Sequence, residues 1–254
     1  MIRSIALVTD FGVGGPYVGQ LLATLHRRVP GVPVYPLMSD LPPFRPDLAA
    51  YLLPALVRDL PKGTLYLCVV DPGVGSDRNL LWLNADGNRY LGPDNGMLAI
   101  VAKQARKAIW RWMTWQPRQV SASFHGRDIL VPAAARLVRG KRLPSRRIGA
   151  GVPVGCDWPD VTARILYVDR YGNLMTGLRA AGVGEKARLR VGDELIGRAR
   201  TFADVAPGAM FWYENSLGLV EIAVNQGAAD QRLGLRPGDP IHWEDSGGEP
   251  SGSG

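Results

Sequence analysis

The sequence predicts an α/β N-terminal domain with a mainly parallel sheet, followed by a smaller all-β, barrel-like C-terminal domain. Three observations predict it. Short apolar runs alternate with stretches of helical periodicity across residues 5–139, the pattern of strands joined by crossover helices. Residues 150–159 are rich in Gly and Pro and have no period, which marks a boundary. Beyond them, short strand candidates are separated by Gly-rich turns, as in a small barrel or sandwich. The expected domains are 1–155 and 162–245, with a low-complexity tail at 247–254 expected to be disordered.

Residues 5–9 form a short apolar, partly β-branched run that stops at Asp10-Phe11-Gly12 and reads as a buried strand. Residues 16–29 follow with Val18, Leu21, Leu22 and Leu25 at helical spacing. A second strand is expected over 32–37, made irregular by Pro33 and Pro36. A helix is expected over 45–60, with Pro54 as a kink. The clearest buried strand covers 65–70 and ends at Asp71-Pro72-Gly73-Val74-Gly75. Asp86-Gly87-Asn88 reads as a hairpin turn between strands at 80–84 and 89–92. Helices are expected over 96–107 and 129–139. In the second domain the strand candidates are 163–169, 187–191, 194–199, 219–224 and 239–243.

With 254 residues, 46% of them hydrophobic, the chain can bury a sizeable core. The net charge of +7 admits an acidic partner. The densest basic stretch, from Arg136 to Arg147, has no aromatic residue for stacking bases and reads as a solvated helix end and loop, so no nucleic-acid partner is expected. No apolar run reaches the roughly 20 residues of a membrane span. Cys68 and Cys156 fit neither a metal spacing nor a disulfide framework. The expectation is a soluble cytoplasmic protein with no metal.

Three strand-end motifs can carry chemistry, because ligands of open α/β sheets bind beyond the carboxyl ends of strands. Asp10 can accept hydrogen bonds from a ribose diol, or cap a helix or turn. Asp71 precedes a Pro-Gly-x-Gly turn, and Arg78 stands seven residues on, close enough to fold back as an ion pair. His125, in Ser123-Phe124-His125-Gly126-Arg127-Asp128, has polar neighbours and is the best acid–base or hydrogen-bonding candidate of the three histidines. In the second domain, Asp169-Arg170-Tyr171-Gly172-Asn173 offers a carboxylate, an aromatic face and an amide for an adenosyl or amino-acid group, and would equally suit a tight turn. Glu214-Asn215-Ser216 and Asn225-Gln226-Gly227 flank a further strand.

Together these motifs, with Gly92-Pro93-Asp94-Asn95-Gly96 and Pro132-Ala133-Ala134, resemble the S-adenosyl-L-methionine (SAM) hydroxide adenosyltransferase family. That family is related to the SAM-dependent fluorinase and chlorinase. The resemblance runs from residue 2 to about residue 243. It implies hydrolysis of SAM at ribose C5′ to adenosine and methionine, with SAM as substrate and no cofactor. It also implies a homotrimer, with SAM between the N-terminal domain of one subunit and the C-terminal domain of its neighbour.

By the same resemblance Asp71, Arg78 and His125 act on the water and Asp10 holds the ribose hydroxyls. Asp169, Tyr171 and Asn173 match positions at the methionine end and the adenine, and Ser216 and Gln226 match positions near the adenine. The chemistry is consistent: a sulfonium is already a good leaving group, so the need is one water held in line with C5′ and sulfur. Alternative readings are a SAM-dependent halogenase and a non-catalytic SAM or adenosine sensor. The sensor is suggested by Gly15, which stands where the family often has an aspartate beside the methionine ammonium.

Overall fold

The computed structural model describes residues 2–148, 152–184, 186–191 and 194–244. The expected tail at 247–254 lies outside the described residues. The chain divides into two compact units, Met1–Asp160 and Val161–Gly254.

The first unit opens with β1 (Ser4–Thr9), α1 (Pro16–Arg28), β2 (Val34–Met38), α2 (Pro46–Val57) and β3 (Thr64–Val69). It continues through β4 (Leu80–Ala85), β5 (Asn88–Pro93), α3 (Ala99–Gln104) and β6 (Ala108–Met113). A π-helical turn at Gly126–Leu130 then leads into α4 (Val131–Val138) and β7 (Ser145–Arg147). The strands form one seven-stranded sheet in the order β2-β1-β3-β5-β4-β6-β7. The β2–β1, β1–β3 and β3–β5 pairs are parallel, and the rest are antiparallel. Five strands therefore point one way and two, β4 and β7, the other, which is the mainly parallel sheet expected.

Alternation along the strands sorts the core. Ile5, Leu7, Leu65, Leu67 and Val69 face α1 and α4, whose Leu21, Leu25, Val131 and Ala134 are buried against them. The intervening Ala6, Val8, Tyr66 and Cys68 face the opposite side, where Tyr66 and Tyr90 stack at 4.8 Å and α2 packs on α3. Every residue of β3 is buried, as its unbroken apolar run requires of a central strand. Pro36 is tolerated in β2 because β2 is an edge strand. Pro54 lies inside α2, which runs on to Val57.

Two helices differ from expectation. The stretch at 96–107 yields only α3, because Gly96 is in the left-handed region (φ 94°) and residues 108–113 become β6. The helix expected from 129 begins instead at Gly126, as a π turn whose glycine packs on Val69.

The second unit contains β8 (Ile165–Val168), β9 (Leu174–Arg179), β10 (Arg188–Val191) and β11 (Glu194–Ile196). Then come β12 (Met210–Glu214), β13 (Leu219–Val224), the short α5 (Ala229–Leu233) and β14 (His242–Glu244). They make two antiparallel sheets, β12-β13-β9-β8 and β11-β10-β14. Isolated bridges join the sheets at both sides, Arg198 to Trp212 and Arg164 to Pro240. The seven strands thus close into a ring around Trp212, Val220, Ile222, Leu174, Leu189 and Ile241. Strands β9 and β12 are absent from the sequence reading; Gly177 interrupts the first, and the second is an aromatic run without clean alternation.

Where β5 passes β3, a Cβ added to Gly92 would lie 2.7 Å from the Cys68 carbonyl oxygen. Gly92→Ala is expected to destabilise the first unit by about 1–3 kcal/mol, seen as a lower urea midpoint at unchanged slope.

Candidate active site

The chain leaves β1, crosses by α1 to β2 on one side, and returns by α2 to β3 on the other. The carboxyl ends of β1 and β3 therefore flank a topological switch point, where an open α/β sheet leaves a crevice. Asp10 follows β1 and Asp71 follows β3, so both carboxylates stand at that crevice. They line a cavity of about 240 Å³ with Phe11, Tyr17, Phe44, Phe124 and His125.

The loop after Asp71 is folded on itself. Val74 N–H donates to the Asp71 carbonyl (3.2 Å), and Ser76 Oγ donates to the Gly73 carbonyl (2.7 Å). Gly75 takes φ 85° and lies against the Ala122 carbonyl. These turns bring Arg78 back to Asp71: Nε donates to Oδ1 (2.6 Å) and Nη2 donates to Oδ2, a bidentate pair. The two side chains are 11% and 6% exposed, so little water screens them. Both Nη1 and Nη2 of Arg78 also lie 3.3 Å from Nδ1 of His125. A guanidinium only donates, so Nδ1 is the acceptor and the ring proton sits on Nε2. Burial, and then the positive charge of Arg78, hold His125 below the ordinary histidine pKa, which keeps the imidazole neutral at pH 7.

Asp10 is held by Phe44, whose N–H donates to Oδ2 at 3.1 Å. Burial raises its pKa, the Phe44 bond lowers it, and the negative charge of Asp71 raises it again. Phe44 is a non-glycine residue at φ 61° and is 71% exposed, so the backbone is strained to present this ring beside Asp10. Sequence reasoning missed it, since its only signal is an aromatic after Pro42-Pro43. The rings of Phe11, Tyr17 and Phe124 meet at 5.4–5.7 Å and form an aromatic wall. Arg127 lies over Phe124, 4.9 Å from its centroid, and is itself fixed by Asp128 and Gln20. Asn95 Nδ2 donates to the Val70 carbonyl (2.7 Å), securing the backbone just before Asp71.

Gly15 is the N-cap of α1, with no side-chain cap, and an added Cβ would approach the Phe11 carbonyl at 3.3 Å. In the second unit Asp169 serves its own turn. Oδ1 accepts from the N–H groups of Tyr171 (2.8 Å) and Asn173 (2.9 Å), and Oδ2 accepts from Asn173 Nδ2 (2.9 Å). Tyr171 is left 76% exposed at the tip of this turn. Gln226, at φ 56°, lies at the same end of the sheet, because Leu174 pairs with Ile222 and Ala228 abuts Gly172. Ser216 lies at the other end of β13, which spans roughly 17 Å over its length.

A paired Asp and Arg with a neutral imidazole, at the switch point of an α/β sheet, fits a small-molecule enzyme of the open-sheet class. Family models for the N-terminal and C-terminal domains of SAM hydroxide adenosyltransferase match residues 5–147 and 163–242. The chain belongs to that family. It is 38% identical to the (R)-S-adenosyl-L-methionine hydrolase of Thermus thermophilus, over 94% of this chain and 99% of the relative. It is 36% identical to the Salinispora tropica protein of the same name, over 93% and 96%. A solved structure of an uncharacterized conserved protein from Thermotoga maritima superposes with a TM-score of 0.82 at 30% identity, covering 94% of this chain and 99% of that one.

Arg78→Met is expected to move the His125 titration upward, since the nearby cation that disfavours the imidazolium is gone while Asp71 remains. The imidazole C2–H chemical shift against pH measures this. Stability should fall by about 3–5 kcal/mol, because Asp71 is left buried without its partner.

Proposed function

We propose that the chain hydrolyses SAM to adenosine and L-methionine by in-line attack of water on ribose C5′. The observation that carries this reading is the Asp71–Arg78–His125 constellation beside Asp10 at one crevice. The water donates one hydrogen bond to the Asp71 carboxylate and accepts one from Nε2–H of His125. Its remaining lone pair points at C5′, opposite the sulfur. As the new C5′–O bond forms, the C5′–S bond breaks, and its electron pair leaves with sulfur as the neutral thioether of methionine. The water proton passes to Asp71 and then to solvent. Asp10 accepts from the ribose diol, and the aromatic wall keeps bulk water from the reaction line. No metal or other cofactor is assigned to the reaction.

A cavity of about 240 Å³ is smaller than the roughly 300–1,000 Å³ of most ligand pockets. We assign the missing walls to the C-terminal unit of a neighbouring copy in a homotrimer, with Tyr171, Asn173 and Gln226 toward the adenine. Light scattering on the purified chain should return the mass of three copies. Among the described residues no helix is long and apolar enough to cross a membrane. With both cysteines free, we place the protein in the cytoplasm, without a nucleic-acid partner.

Incubation with SAM should give adenosine and methionine in equal amounts, with labelled solvent oxygen at the 5′ position. A 5′-halo nucleoside on adding chloride or fluoride would establish the halogenase instead, and tight binding without turnover would establish the sensor. Asp71→Asn and His125→Ala should each lower kcat by roughly 10²–10⁴-fold with little change in SAM affinity. Asp10→Ala should instead raise KM by roughly ten- to a hundredfold.

The pH profile follows from the same groups. His125 must be neutral, so kcat/KM should fall on acidification at a midpoint below that of an ordinary histidine. Protonation of Asp10, which burial makes easier, deepens the fall.

A further inference from the structure

We propose that a groove on the N-terminal sheet, distinct in lining from the Asp10 crevice, is a second ligand site for a small molecule carrying two or more phosphates, in the class of nucleoside polyphosphates. The strand register builds it. Arg89 pairs with Asn84 and Asn84 with Ile109, while Trp82 pairs with Arg111 and Arg111 with Arg147. Directly paired residues share a face, so these side chains form one continuous surface across β5, β4, β6 and β7. The loop after α4 supplies the other wall, with Lys141 and Arg142. The open groove has a volume of about 920 Å³, within the range of small-molecule sites, and shares no lining residue with the Asp10 crevice.

The charge of this groove is one-sided. Five of its lining residues are cationic and none is acidic. Arg111 is committed to Ser145, through Nε to Oγ (2.7 Å) and Nη2 to the carbonyl (2.9 Å). The side chains of Arg89, Lys141, Arg142 and Arg147 have no ion-pair partner among the described residues. Unpaired cations converging on one concavity attract an anion. The same like charge disfavours a second copy of this face as the occupant. The basic stretch read from sequence as a solvated loop is thereby set against Ile109, 43% exposed, and the half-buried Trp82. A flat apolar group can rest there while phosphates meet the cations. Across a flat sheet, three strand spacings and a two-residue offset put Arg89 and Arg147 about 16 Å apart. That is the reach of one extended nucleotide, and both arginines belong to a single cavity.

The test is calorimetric titration of the full chain with ATP, repeated on Lys141→Glu/Arg142→Glu, on Arg89→Glu/Arg147→Glu and on Asp10→Ala. ATP is expected to bind the unaltered chain and Asp10→Ala alike, inorganic triphosphate to compete, and each charge reversal to weaken binding by at least roughly tenfold. Lys141 and Arg142 are exposed, so that pair preserves the fold, and its SAM cleavage without ATP should be unchanged. Absence of ATP binding into the millimolar range overturns the proposal. So does binding lost in Asp10→Ala but kept in both reversals, which would place ATP in the adenosine crevice. Tighter binding of a short single-stranded oligonucleotide than of ATP would make the groove a nucleic-acid site instead. A change in the number of associated copies on charge reversal would make it a subunit interface.

Discussion

The reversal of strand order beside β1 is the constraint on which the site depends. Because β2 and β3 are reached by helices on opposite faces, the helices leave the carboxyl ends of β1 and β3 open, and the loop after β2 closes on β1 through Leu41 N–H on the Thr9 carbonyl and Phe44 N–H on Asp10. Two loops can then approach one another there without competing for space, and each brings one carboxylate. Packing below the crevice is close, with Leu7, Leu67 and Val69 buried directly beneath it. The loops above are irregular, but they spring from strand ends that the core fixes.

Within the crevice, Arg78 does two things at once. Its bidentate bond to Asp71 fixes the carboxylate plane, and its remaining donor directions select the histidine tautomer. A lysine could neutralise Asp71 but could not present a fork to the carboxylate and a further N–H to the imidazole. Two electrostatic environments result within one crevice. The imidazole is kept neutral by burial and a cation, while Asp10 is made more basic by burial and a neighbouring anion. A cationic sulfonium suits such a crevice, since it meets carboxylates without adding a competing proton.

Much of this was legible in the sequence because strands that are buried on both faces, such as β3, need unbroken apolar runs, and those runs ended at Asp10 and Asp71. The seven-residue spacing to Arg78 was readable for the same reason, with Gly73 and Gly75 marking a folded loop. Phe44 was not legible, because its placement depends on a backbone strain imposed by the bond to Asp10. The relation of Ser216 to Gln226 was hidden as well. It depends on the length and register of β13, which no local motif encodes. Cross-strand register likewise conceals the assembly of Arg89, Arg111 and Arg147, which are far apart in sequence.

Closure of the second unit has a consequence for how it behaves when crowded. Open sheets end in rows of unpaired amide and carbonyl groups that can template another chain. Among the described residues, bridges at Arg198–Trp212 and Arg164–Pro240 lie at both seams, so the ring leaves little open strand edge for such growth. Association through this unit then falls chiefly to side chains and loops, whose chemistry can be matched to one partner. The open edges of the molecule lie instead in the first unit, at β2 and β7, and in β2 Pro36 removes one backbone donor from that edge.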